Sequence, residues 1–119
     1  MTEFQFMSEP VKITAAAGQD VRLALLLGQF HEMDISLRCL EISGTGVTIV
    51  FETAKQNEVG PAGTNDNGWV AMTSGSFTMT AAGTTLVHLT NPLKFVRYNI
   101  TGIGGGACTL MIQGVARTL

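Results

Sequence analysis

Ionised side chains are scarce in this sequence. Asp, Glu, Lys and Arg make up 13% of the 119 residues, which is about half of the roughly 25% found in a typical soluble domain. The formal net charge is -2 and the seven basic residues are scattered, whereas binding to nucleic acid needs clustered Lys and Arg. We therefore expect no nucleic-acid partner. A surface with so few solvating charges also favours self-association, because neighbouring molecules can cover it.

Long apolar runs and a secretion signal are also missing. The longest apolar run, VRLALLLG, is much shorter than the roughly 18 residues of a membrane span. The first segment, MTEFQFMSEP, has acidic residues where a signal peptide would carry positive charge. The sequence thus predicts synthesis in the cytoplasm and no membrane partner.

Cysteine is rare, and its spacing matches no metal site. Cys39 and Cys108 stand alone in apolar, alternating segments, where a buried thiol packs as a small hydrophobic side chain. We expect both to be inert core residues, with a disulfide between them as the alternative.

The sequence contains no recognisable catalytic motif: nucleophile elbow, HExxH, P-loop and dinucleotide fingerprint are all missing. An enzyme would need His31, Asp34 and either Glu32 or Glu58 in one pocket. Neighbouring strand positions such as 31 and 32 point to opposite faces, so they cannot easily share a metal ion. We expect no enzymatic activity, no cofactor and no metal site.

Strict alternation of apolar and polar residues is what the sequence does contain. In MDISLRCLEI, an apolar face is formed by Met33, Ile35, Leu37 and Cys39, which is the period of a strand with one side in water. The alternation changes parity at Leu40, which predicts a β-bulge or a strand that crosses an edge there.

Further strands are predicted along the whole chain. They are VKITAA, VRLALLL, VTIVFETA, WVAMTSGSFTMT, TTLVHLT, FVRYNITG and CTLMIQGVAR. VRLALLL could instead be a short helix, although the enclosing Gly18 and Gly28 favour a strand. The alternation puts His88 of TTLVHLT on a solvent or interface face. We expect hairpins at AGQD and SGTG and a flexible hairpin turn at the glycine-rich IGGGA.

These patterns predict an all-β fold. About eight strands with no sustained helical period indicate one antiparallel β-sandwich, a jelly roll, over residues 11–119. Residues 1–10 are expected to form an N-terminal arm or an extra strand. The apolar Phe4, Phe6 and Met7 of that segment would need a neighbour to cover them if they lay outside the sandwich.

Residues 54–68, AKQNEVGPAGTNDNG, are too long for a hairpin turn and predict a functional or loose loop. The oxygen-bearing Glu58, Asn65 and Asp66 could bind Ca²⁺. The lack of regular ligand spacing favours ordinary turn-forming residues in solvent.

Arg97 and Trp69 are two large side chains for which we predict specific contacts. Arg97 is expected to pair with a carboxylate on an adjacent strand, Glu41 or Glu52, or to reach across a subunit contact. Trp69 opens a strand after a glycine, where a large ring caps the end of the core or anchors an interface.

From Val47 onward the order of features is similar to that of known families. An apolar strand ends in FETA, a Trp opens GWVAMTSGSFT, and AAGTTLVHLTNPLKFVRYNITGIGGGACTLMIQGVAR closes the chain. This order resembles that of small β-sandwich virion proteins of tailed bacteriophages. It is also similar to galactose-binding-like, discoidin-type jelly rolls, which place a Trp after an Asp/Asn/Gly loop and an Arg-Tyr pair, here Arg97 and Tyr98, in a late strand.

The first resemblance implies a capsid decoration or cement subunit in the virion. Such a subunit would form a homo-oligomer, expected to be a trimer, and would bind the major capsid protein or another virion protein. The candidate interface residues are Phe4, Phe6, Met7, Trp69 and Arg97. The second resemblance implies a carbohydrate-binding module whose site is the 55–68 loop with Trp69, and such jelly rolls often hold a structural Ca²⁺.

Overall fold

The structure is a computed structural model that describes residues 1–20, 23–55 and 68–118. Within these ranges the chain forms ten strands. They are β1 (Thr2–Gln5), β2 (Val11–Ile13), β3 (Ala17–Gly18), β4 (Leu25–Leu26), β5 (Glu32–Ile42), β6 (Val47–Ala54), β7 (Val70–Met79), β8 (Gly83–Thr90), β9 (Phe95–Ile103) and β10 (Cys108–Arg117).

The strands form two antiparallel sheets. The first has the order β1–β10–β5–β8, with β2 also paired to β10, and the second has the order β3–β9–β6–β7, with β4 also paired to β9. The chain therefore changes sheet at every connection except β1–β2, β3–β4 and β6–β7. Because each pair of short strands shares one side of a long neighbour, each sheet has four strand positions, as in a jelly roll. The predicted all-β antiparallel sandwich of about eight strands is confirmed.

The three predicted hairpins are wrong. β5 and β6 lie in different sheets, and so do β9 and β10. In the AGQD region, β2 lies in the first sheet and β3 and β4 in the second; Val21 and Arg22 lie outside the described residues. Turn-forming residues signal a chain reversal, but a connection that crosses between two sheets reverses the chain as well, so composition alone does not separate the two cases.

The core lies between the sheets and is built by the predicted alternation. On β5 the inward residues Met33, Ile35, Leu37 and Cys39 are at most 2% exposed. Burial of such a side chain contributes roughly 1.5–3 kcal/mol. Cys39 and Cys108 are buried free thiols, as expected, and burial raises the pKa of both.

The predicted bulge at Leu40 is present. Thr109 of β10 pairs with Glu41 of β5, whereas Leu110 pairs with Cys39. Leu40 is thus the extra residue of β5, and it is 37% exposed. The bulge lets the apolar side chains on either side of it stay in the core after the parity of the sequence has changed.

Candidate functional site

The N-terminal segment is part of the sandwich. β1 pairs with the last residues of β10, and the backbone N–H groups of Phe6 and Met7 donate to Ile112 O at 3.0 and 3.2 Å. Phe4 is half-buried and its ring meets that of Phe6 edge to face at 5.6 Å. Phe6 and Met7 are only 8% and 3% exposed. They stabilise the core of this domain, so the prediction of an exposed contact does not hold for these two residues.

Arg97 forms a buried ion pair within the chain. Its Nε donates a hydrogen bond to Glu52 Oε1 at 2.9 Å. Glu52 lies directly opposite Arg97 on β6 and is one of the two carboxylates predicted as its partner. Arg97 Nη1 also donates to Gln19 O at 3.2 Å, and Asn99 Nδ2 donates to Glu52 Oε2 at 3.4 Å. Because Arg97 is 1% exposed, it cannot reach across a subunit contact in this conformation.

Trp69 lies over the guanidinium group of Arg97. The centre of its ring is 4.7 Å from the guanidinium carbon of Arg97, a distance suited to a cation–π contact. Its Nε1 is buried and has no hydrogen-bond acceptor among the described residues. The guanidinium group of Arg97 occupies one face of the indole ring. Residues 56–67 lie outside the described residues, and with them the predicted calcium ligands and most of the predicted carbohydrate loop.

A second ionic network lies on the outer face of the first sheet. His88 Nδ1 is 2.7 Å from Asp34 Oδ1, and Arg117 binds both Asp34 and, at 3.2 Å, Glu32. Hydrogen bonds from His88 and then Arg117 lower the pKa of Asp34. The side chain of His88 is 52% exposed, which confirms its predicted outward face. Arg117 thus holds the two carboxylates that a catalytic cluster with His31 would have used.

Three exposed apolar residues, Leu26, Val70 and Leu93, define what we call the apolar rim. They are 54%, 54% and 37% exposed and lie on β4, at the start of β7 and in the β8–β9 connection. Leu93 lines two adjoining concavities, one of about 410 Å³ that includes Leu26 and one of about 300 Å³ that includes Val70. Lys94 is the one charged residue in either lining. Both concavities are lined by polar as well as apolar residues.

The backbone of the apolar rim is held firmly. Thr53 Oγ1 accepts a hydrogen bond from the Leu93 N–H and donates one to Phe95 O, both at 2.8 Å. The Gly28 N–H donates to Lys94 O at 3.1 Å, and a Cβ at Gly28 would lie 2.7 Å from Leu93 O. Gly28 thus permits this close approach. A surface that is already ordered loses little conformational entropy when it binds a partner.

Sequence reasoning missed the apolar rim and also Leu86, which is 81% exposed. The signal for Leu86 was available, because the alternation that puts His88 outward also puts Leu86 outward. No comparable signal marked the rim, since its members come from three separate segments.

Residues 1–20, 23–55 and 68–118 contain no group of three His, Cys, Asp or Glu side chains placed to hold a metal ion. The same ranges contain no helix long and apolar enough to cross a membrane.

No protein-family model and no curated protein matches this chain. Among solved structures, it is similar to the SPBc2 prophage-derived protein YomS, with a TM-score of 0.57 and 15% sequence identity. The alignment covers 96% of this chain and 92% of YomS. The likeness therefore extends over the whole β-sandwich, and at this identity it is a likeness of fold.

Proposed function

We propose that this protein is a non-enzymatic structural subunit of a phage particle, more specifically a capsid decoration or cement protein. It would act in the virion as a homo-oligomer, expected to be a trimer, bound to the major capsid protein or another virion protein. The shared fold with a prophage-derived protein over 96% of the chain supports the phage association. The resemblance of residues 47–117 to small virion proteins supports the structural role.

The apolar rim is the observation that carries the proposal. Single exposed apolar residues are common on soluble proteins, but Leu26, Val70 and Leu93 line two adjoining concavities, and the backbone N–H of Leu93 is hydrogen-bonded. Apolar patches with a polar surround mark contact surfaces. Lys94 is the one charged side chain in the two linings.

The mechanism would be thermodynamic linkage. A subunit that binds the assembled shell but not its separate proteins stabilises the shell, by about 2.7 kcal/mol per site when its free concentration is 100 times its Kd. A symmetric oligomer that contacts several lattice points at once gains further through avidity. No reaction is needed for this function.

The test uses heads purified from the encoding phage after deletion of its gene for this protein. The purified protein should sediment with these heads and raise the temperature at which they disassemble. Leu93→Asp should weaken binding at least tenfold, because a carboxylate in the apolar rim must be desolvated on contact. Leu40→Asp is the matched control, since both leucines are 37% exposed and Leu40 lies on β5, away from the rim.

Two outcomes would contradict the proposal. If the unchanged protein does not sediment with the heads, it is no decoration subunit. If Leu93→Asp and Leu40→Asp bind equally well, the apolar rim is not the contact surface. Light scattering of the free protein tests the expected trimer separately.

A further inference from the structure

Most edges of the two sheets are protected against pairing with another chain. On one side of the sandwich the edge strands are short: β1 and β2 have four and three residues, and β3 and β4 have two each. Short edge strands offer few unpaired backbone groups to another strand.

β7, an edge strand on the other side, is long but interrupted. Its register with β6 jumps from Val50↔Ser76 to Glu52↔Ala71, so a bulge separates two short paired stretches. Ser74 within the bulge has a φ of 60°, which departs from strand geometry. Bulges twist an edge away from incoming strands.

β8 is the exception. Its eight residues, Gly83–Thr90, pair with β5 in unbroken register from Cys39↔Gly83 to Glu32↔Thr90. The sequence GTTLVHLT contains no Lys, Arg, Asp, Glu or Pro, the residues that usually blunt an edge. Leu86 in its centre is 81% exposed. Within the described part of the chain, β5 is the one strand that pairs with β8.

We propose that β8 pairs antiparallel with β8 of a second copy, about a twofold axis midway between the two Leu86 residues. An antiparallel strand is complementary to itself under twofold rotation, so one surface provides both sides of the contact. Directly opposite residues of an antiparallel pair lie on the same face, so one residue of β8 must face its own copy across the axis. Leu86 is the residue that gains most from this position, because two nearly bare leucines then cover each other at a Cβ separation of about 4.5–5.5 Å.

No repulsion between like charges opposes this register. Thr84 of one copy faces His88 of the other, and His88 already has Asp34 as its partner. No like charges meet along β8, since the strand has no acidic, Lys or Arg side chain. The two first sheets would join into one continuous sheet with twice the number of strands.

This inference does not depend on the proposed function. It uses the edge of β8, whereas the proposed shell contact uses the apolar rim, so each can fail alone. A twofold contact produces even-numbered assemblies, and the smallest closed assembly that combines it with the expected threefold symmetry is a hexamer.

Disulfide trapping tests the register directly. Under mild oxidation Leu86→Cys should form a covalent dimer, because directly opposite residues have Cα atoms about 4.5–5.5 Å apart, within disulfide range. Thr84→Cys is the control: its copy would lie about 13 Å away along the strands, so cross-linking should be at least tenfold slower. Equal rates for the two variants, or no cross-link for Leu86→Cys, would overturn the proposal.

Light scattering provides a second readout that needs no new cysteine. The unchanged protein should have the mass of two or six copies, and Leu86→Lys should lower it to one or three, because two ammonium groups would then face each other. Leu26→Lys adds the same charge at the apolar rim and should leave the mass unchanged. A monomeric or trimeric unchanged protein, or a Leu86→Lys variant of unaltered mass, would show that β8 does not pair in this way.

Discussion

At the scale of single residues, the buried pair of Arg97 and Glu52 connects two central strands of the second sheet, β9 and β6. A charge that is 1% exposed loses nearly all its hydration and needs partners in compensation. Glu52, the carbonyl of Gln19 and the ring of Trp69 supply them. The pair therefore links β9 to β6, and the Trp69 ring packs on the guanidinium group.

Removal of one member of the ion pair should reveal the free-energy cost of burying the other charge. Glu52→Ala is expected to lower the free energy of unfolding by about 3 kcal/mol, since it leaves a buried guanidinium without its carboxylate. The double variant Glu52→Leu with Arg97→Met removes both charges and should lose much less. Urea unfolding of both variants measures this, and a single variant that loses under about 1 kcal/mol would contradict the argument.

Asp34 should make stability depend on pH. Its lowered pKa, caused by His88 and then Arg117, means that the folded state binds a proton less readily than the unfolded state. The stabilisation is fully present above the ordinary carboxyl pKa of about 4 and is lost as the pH falls through the lowered value. Thermal unfolding between pH 5 and pH 2 should show a smaller decrease for Asp34→Asn than for the unchanged protein.

The exposed Glu9, changed to Gln, is the control for this pH series. Its profile should follow that of the unchanged protein. Superimposable profiles for Asp34→Asn and the unchanged protein would mean that the network around His88 and Arg117 does not stabilise the fold.

At the scale of elements, two crossing turns bind each other at one end of the sandwich. The Thr45 N–H donates to Gly104 O and the Gly104 N–H donates to Gly46 O, both at 2.9 Å. Ser43 adds a bond from its N–H to Ala107 O at 2.8 Å. The β5–β6 and β9–β10 connections thus satisfy each other's backbone groups, a role that neither glycine-rich sequence reveals alone.

Glycine at position 44 should be essential to this contact. Gly44 has a φ of 86°, and a Cβ there would lie 2.2 Å from Gly104 O. Gly44→Ala should therefore cost more than about 2 kcal/mol through backbone strain and the clash. Gly102→Ala, where a Cβ meets nothing within 4 Å, should stay within about 0.5 kcal/mol of the unchanged protein. Equal chemical-denaturation midpoints for the two variants would contradict the predicted interlock.

At this scale, the sequence predicts those features that depend on neighbouring residues within one strand. The inward face of β5, the bulge at Leu40 and the pairing of Arg97 with a carboxylate all follow from the period of two. The partner strands of β5 cannot be predicted in this way, because hairpins and turns that cross between sheets contain the same types of residue. The apolar rim needs three distant segments to meet, so Leu93 reads in sequence as an ordinary loop residue.

At the scale of the whole molecule, two of the few basic side chains form ion pairs within the chain. Arg97 and Arg117 bind carboxylates on neighbouring strands, which stabilises the sheets but removes charge from the surface. The apolar rim at one end and Leu86 on the β8 edge are left as apolar contact surfaces. The two surfaces share no residue, so the two proposed contacts use different parts of the molecule.

Self-association through β8 should make stability depend on protein concentration. A dimer that forms only from folded chains draws the equilibrium towards the folded state, so its urea midpoint rises with concentration. We expect this rise for the unchanged protein and for Leu93→Asp, whose substitution lies on the apolar rim. Leu86→Lys should show a smaller rise, and no rise where light scattering finds it monomeric. A midpoint that stays constant for the unchanged protein from low to high micromolar concentration would mean that its folding does not depend on a second copy, and the β8 contact would then have no thermodynamic role.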